Sequence, residues 1–223
     1  VTPVIGLNGG YYKVDRERDG ASFTTRRVQA IQHGRTIFNL AASFQTVEEG
    51  LTHQDPMPAV PGPDGLLNEQ ERHALRREHI PEPWRTIIGE RSRPFEFRAL
   101  DDYDGFNPIV TPPASRQWFR ARGEVPENPA LKAALFAYAT DMTLLDTSLR
   151  PHGLSWADGH LQAASLDHTI WFHAIPEPGH WLLYDQVSPA AAGGRGLNIG
   201  NIFDESGKLV ATVAQEGLIR LRP

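Results

Sequence analysis

From Tyr11 to Gln45 apolar and polar residues alternate in β-rich runs, broken at Arg18-Asp19-Gly20 and again at His33-Gly34. Both breaks are turn sequences, so the pattern predicts a three-stranded antiparallel meander over Tyr11–Arg16, Ala21–Gln32 and Arg35–Gln45. Between Leu51 and Pro113 the alternation stops, because prolines recur there, among them Pro56, Pro58, Pro61, Pro63, Pro81 and Pro83. Proline fixes φ and removes a backbone donor, which precludes a long regular element. A linker is expected, with a short polar helix capped by Asn68 running to about His79 and one isolated strand at Pro94–Leu100.

Regular patterning returns with a strand at Ser115–Gly123. Glu127-Asn128-Pro129 then combines an acidic first turn, a cap and a proline at the first helical position. The helix is expected to run to about Leu145. Leu131, Ala134, Leu135, Tyr138, Met142 and Leu145 recur at spacings of three and four and form one apolar stripe. Asp141 falls on the edge of that stripe, close in angle to Ala134 and Leu145 at ~100° per residue, which carries a carboxylate toward the helix–sheet interface. A boundary aspartate reaching solvent is the plainer reading of the same spacing.

Four more strands are predicted at Gln162–His173, Trp181–Ala192, Gly196–Phe203 and Lys208–Ile219. In the first, period-two alternation sends Ser165, Asp167, Thr169, Trp171 and His173 to one face and Leu166, His168, Ile170 and Phe172 to the other. The polar face either lines a site or meets water. Two hairpins resemble each other: Gly34-Arg35 opens a strand running through Ala41 to Gln45, and Gly207-Lys208 opens one running through Ala211 to Gln215. This weak internal repeat suggests two related units, 1–50 and 114–223, joined by the linker 51–113, with only the second carrying a helix of its own.

The chain has 223 residues, 40% hydrophobic and 22% charged, as in an ordinary globular protein. With no cysteine, disulfides, thiolate metal sites and a cysteine nucleophile are excluded, which suits a reducing cytoplasm. A net charge of −5 argues against a general nucleic-acid binder. No apolar run approaches the ~20 residues of a membrane span, and the stretch from Val1 to Tyr12 lacks a basic leader, so a soluble, unexported protein is expected. Ser165, Asp167 and His168 do not form a serine-hydrolase triad, since strand neighbours point to opposite faces and there is no Gly-x-Ser-x-Gly elbow. His152, Asp158 and His160 lack a recognised metal-ligand spacing.

Several segments resemble the type II acyl-CoA thioesterases, built from two fused hot-dog units. They are Arg18-Asp-Gly-Ala-Ser-Phe-Thr-Thr-Arg-Arg-Val28, Ala42-Ser-Phe-Gln45, His53-Gln-Asp-Pro-Met-Pro58, Ala164-Ser-Leu-Asp-His-Thr-Ile-Trp-Phe-His173, Arg195-Gly196 and Gln215-Glu-Gly217. The resemblance implies an α+β fold, a double hot-dog with an antiparallel sheet wrapped around a long helix. The first unit is expected to be incomplete, since its first strand and helix should precede Tyr12. The implied activity is hydrolysis of fatty acyl-CoA by an oriented water, with Asp141, Ser165 and Gln215 as the catalytic group, acyl-CoA as substrate and no cofactor. It also implies a homo-oligomer. The rival readings are an inactive acyl-CoA-binding hot-dog remnant and, further off, a hot-dog enoyl thioester hydratase or dehydratase using a histidine.

Overall fold

The computed structural model describes residues 2–3, 10–90 and 93–222. Most of the stretch read for a leader lies outside the described residues. Contacts divide the chain into two compact units, meeting between His53 and Gln54.

The first unit is a four-stranded antiparallel sheet in the order β1 (Thr2–Pro3), β2 (Tyr11–Asp19), β3 (Phe23–Gln32), β4 (Arg35–Gln45). Its tightest turn sits where the sequence places it. His33 and Gly34 both have positive φ, 50° and 73°, the conformation that lets a two-residue turn follow the twist of its strands. Opposed pairs on one face, Val14 with Val28, Val28 with Leu40 and Thr24 with Phe44, make that face largely apolar, and Val14, Phe38, Leu40 and Phe44 are exposed.

The second unit opens with the proline-rich segment, which is more structured than its composition suggests. Asn68 caps α1 (Glu69–Leu75) in a reciprocal capping box with Glu71. A single 3-10 turn follows at Arg77–His79, and then α2 (Trp84–Glu90), which the sequence reading did not anticipate. There Pro83 stands just ahead of the helix, where proline is tolerated, and so marks an entry and not a break. The isolated strand forms as β5 (Phe95–Ala99) and joins the edge of the sheet.

The remaining elements are β6 (Ala114–Ala121), α3 (Pro129–Thr140), α4 (Asp146–Leu149), β7 (Leu161–Ser165), β8 (Thr169–Phe172), β9 (Leu182–Ala192), β10 (Arg195–Asp204) and β11 (Leu209–Leu221). The antiparallel sheet runs β5-β6-β9-β10-β11-β7, with β8 also paired to β11. Both stretches of the internal repeat are hairpins, β3–β4 and β10–β11.

Phe119, Leu182, Tyr184, Ile202 and Val213 face α3 and pack with its Phe136 and Ala139. The opposite face of the sheet is also buried: Trp118, Trp181, Leu183 and Phe203 pack with Met57, Val60 and Leu66, and Trp118 Nε1 donates to the Pro61 carbonyl at 2.9 Å. Burying each such large side chain contributes about 1.5–3 kcal/mol.

Two predicted elements end differently. The helix stops at Thr140, five residues short of Leu145, because the sheet offers side-chain partners to the residues that follow. Gln117 and Gln186 both donate to Thr143 Oγ1, and Thr147 Oγ1 donates to Gln186 Oε1 at 3.0 Å. Glycines let this turn sink against the strands: a Cβ on Gly196 would lie 2.6 Å from Ser148 Cβ, and one on Gly217 would overlap the Leu145 side chain.

The predicted strand Gln162–His173 is split into β7 and β8. Ser165 pairs with Gly217 and Thr169 with Ala214, so four steps along this strand match three along β11. One extra residue is a bulge, and it inverts the alternation. Thr169, Trp171 and His173 therefore lie on the face opposite Ser165. Ile170 and Phe172 turn toward the helix side, where Ile170 joins the core and Phe172 meets Phe136.

Candidate active site

Three elements of the second unit converge where α3 ends. Asp141 is the C-terminal cap of α3, its side chain half exposed at 51%. Ser165 is the last residue of β7 and Gln215 lies mid-way along β11, completely buried on the helix-facing side. Ser165 Oγ donates to Asp141 Oδ1 at 3.3 Å. Gln215 Nε2 donates to Ser165 Oγ at 3.0 Å and also to Asp141 Oδ1. Both amide hydrogens are thus committed to acceptors, which fixes the orientation of the Gln215 amide and leaves its Oε1 buried without a partner among the described residues. The three residues named from the sequence form one connected group, although 74 positions separate the outer two.

The surroundings hold this group in place. The Tyr184 hydroxyl, its pKa pushed well above the ordinary phenol value by burial and then by the Asp141 charge, donates to the Thr140 carbonyl at 3.0 Å. Glu216 is stitched to the bulge: its carbonyl accepts from Leu166 N at 2.9 Å and its N–H donates to Asp167 Oδ1 at 2.7 Å. Arg195 Nε donates to Glu216 Oε1 at 2.9 Å, which joins two of the short segments that stood out in the sequence. Asp167, placed on the polar face with Ser165 by simple alternation, is used in this stitching.

A fourth side chain was missed. His168 lies inside the bulge, with Nε2 3.0 Å from Thr140 Oγ1 and Nδ1 3.9 Å from Asp141 Oδ1. Burial lowers its pKa, while the Asp141 and Asp167 charges work the other way. Period-two alternation assigned it to the face away from Ser165, and only the extra residue brings it to the same carboxylate. Chemically, the site offers an exposed carboxylate whose Oδ1 is held by a hydroxyl and an amide, a combination suited to accepting a proton from water and orienting it.

Comparisons with known proteins bear on the family and the fold. The model of a family described as acyl-CoA thioesterase matches residues 103–218. Acyl-CoA thioesterase 2 of Haemophilus influenzae is 38% identical over 209 residues, covering 94% of this chain and 73% of that protein. Acyl-coenzyme A thioesterase 8 of Mus musculus is 37% identical over 219 residues, covering 95% and 68%. The crystal structure of acyl-CoA thioesterase II TesB2 from Mycobacterium marinum superposes with a TM-score of 0.75 at 39% identity, covering 97% of this chain and 78% of that one. A hot-dog protein from Alicyclobacillus acidocaldarius, at 19% identity and a TM-score of 0.71, shares the fold.

Proposed function

The chain belongs to the acyl-CoA thioesterase family, a family of thioester hydrolases with the hot-dog fold, and from that premise we propose that Asp141, Ser165 and Gln215 hold and activate the water that cleaves a fatty acyl-CoA. The single observation carrying this reading is the closed set of hydrogen bonds among the three side chains at the end of α3.

A thioester carbonyl is electrophilic and its thiolate leaves readily, so the demand on the protein is modest. The water oxygen bonds to the carbonyl carbon while one water proton passes to the Asp141 carboxylate. The tetrahedral intermediate then collapses, the C–S bond breaks, and the CoA sulfur takes up a proton, giving free fatty acid and CoA. Ser165 and Gln215 keep Asp141 Oδ1 in position and limit the orientations of the water, the entropic share of the rate enhancement. No covalent acyl-enzyme is required.

Among the described residues no helix is long and apolar enough to cross a membrane. The finer reading is a cytoplasmic enzyme of lipid metabolism working as a homo-oligomer. The cysteine-free composition supports a reducing compartment, and the exposed apolar residues of the first unit's sheet support self-association.

The test is release of free CoA from a panel of short to long acyl-CoA esters by the chain and by its Asp141→Ala variant. Removing the base should lower kcat by roughly a hundredfold to ten-thousandfold. Equal turnover by the variant would overturn the role of Asp141, and a folded chain that binds acyl-CoA without releasing CoA would overturn the hydrolytic reading.

A further inference from the structure

The hydrogen positions around His168 are fixed by counting. Thr140, fully buried, has one hydroxyl hydrogen, and its Oγ1 directs it to the Ala137 carbonyl at 3.0 Å. The contact between Thr140 Oγ1 and His168 Nε2 therefore takes its hydrogen from the imidazole. In the neutral ring Nδ1 is then a bare acceptor. It is buried, it has no partner among the described residues, and the charged atom facing it is Asp141 Oδ1, 3.9 Å away. Two acceptors turned toward each other with no hydrogen between them leave a buried polar atom unsatisfied, an arrangement that costs free energy. One proton between them would give Nδ1 the partner it lacks.

We propose that His168 is a positioning residue that acts through Asp141, receiving on Nδ1 the proton that Asp141 takes from the attacking water and handing it back for the departing sulfur. This rests on the hydrolytic reading above. The water oxygen bonds to the carbonyl carbon and its proton passes to Asp141. Closing the 3.9 Å gap by about 1 Å brings Nδ1 and Oδ1 to hydrogen-bond distance, and the proton crosses to give an imidazolium–carboxylate pair. When the C–S bond breaks, the proton returns through Asp141 to the thiolate, so one water is consumed and one acid and one thiol are formed.

The other groups around the ring fit this role. Asp167 is occupied by the Glu216 N–H, Tyr184 stays neutral and binds the Thr140 carbonyl, and burial keeps the imidazole uncharged and ready to accept at neutral pH. His168 thus regenerates a charged Asp141 within the same turnover.

The experiment has an activity arm and a spectroscopic arm. In the first, pH profiles of kcat and KM are compared for the chain and His168→Gln, which keeps a donor for Thr140 and cannot take up a proton near neutrality. The expected result is a fall in kcat of roughly ten- to a hundredfold with KM within about twofold, and loss of one ionisation from the acid limb. In the second, nitrogen NMR of the histidines should find His168 as the Nε2–H tautomer, and Asp141→Asn should lower its pKa by removing a facing negative charge. An unchanged kcat profile in folded His168→Gln, an Nδ1–H tautomer, or a His168 titration indifferent to Asp141→Asn would each overturn the proposal. If the parent chain releases no CoA, the hydrolytic reading fails, and the tautomer and titration still decide whether His168 faces Asp141 as described.

Discussion

Asp146 stands five residues beyond Asp141 and behaves quite differently. It is half-buried, it accepts from Trp156 Nε1 at 2.6 Å, and burial pushes its pKa up to about 6 from the ordinary 3.8, with Arg150 acting in the opposite sense. A carboxyl whose pKa is higher folded than unfolded favours the folded state fully at low pH. That contribution is lost between about pH 4 and about pH 6 and stays lost above it. Asp146→Asn keeps an acceptor for Trp156 and has no proton to lose. The variant should therefore be more stable than the parent at pH 8, by roughly 1–2 kcal/mol after allowing for residual exposure. The difference should vanish near pH 4, as thermal melts across that range will test.

At this scale the sequence was unevenly legible. The Asp141 position could be suspected from its place on the helical stripe, and Ser165 from a polar strand face. Gln215 carried no local signal, since a buried amide in mid-strand looks like any other polar residue, and only the family resemblance pointed to it. His168 was weighed only as a triad member, and period-two alternation placed it on the face away from Ser165, so its nearness to Asp141 was hidden.

Elements explain why. Strand existence was easy to read: Arg35–Gln45 has the expected limits, and β9 and β10 begin within one residue of theirs. What alternation cannot supply is a bulge, because an inserted residue has no characteristic identity when it is not glycine. The early end of α3 was likewise hidden, since Met142, Leu144 and Leu145 continue an apolar pattern while the turn is fixed by Gln117 and Gln186, distant in sequence. The start of α3, by contrast, was written locally. Asn128 Oδ1 accepts from the Ala130 and Leu131 N–H groups at 2.9 and 3.2 Å. Asn128→Ala leaves those donors without that partner and should cost about 1 kcal/mol of stability. Denaturant titration should register this as a lower midpoint with an unchanged slope.

For the whole molecule, the two units differ in how deeply their strands are buried. Leu182, Leu183, Tyr184 and Gln186 of β9 are at or near zero exposure, whereas ten of the eleven β4 residues are exposed. Hydrogen exchange at low protein concentration should find β4 amides opening well before those of β9. If the chain self-associates through the apolar face of the first sheet, β4 protection should rise with concentration while β9 stays unchanged; concentration-independent exchange in β4 would exclude that face. The position of β11 has a kinetic consequence. It is made after every other strand of its sheet, yet it lies inside that sheet, between β10 on one side and β7 and β8 on the other. Gln215 and both halves of the bulge wait for it, so the hydrogen-bonded group of Asp141, Ser165 and Gln215 is completed late in biogenesis. A nascent or refolding chain with β9 and β10 already paired still has no assembled candidate site, which arrives only with long-range closure.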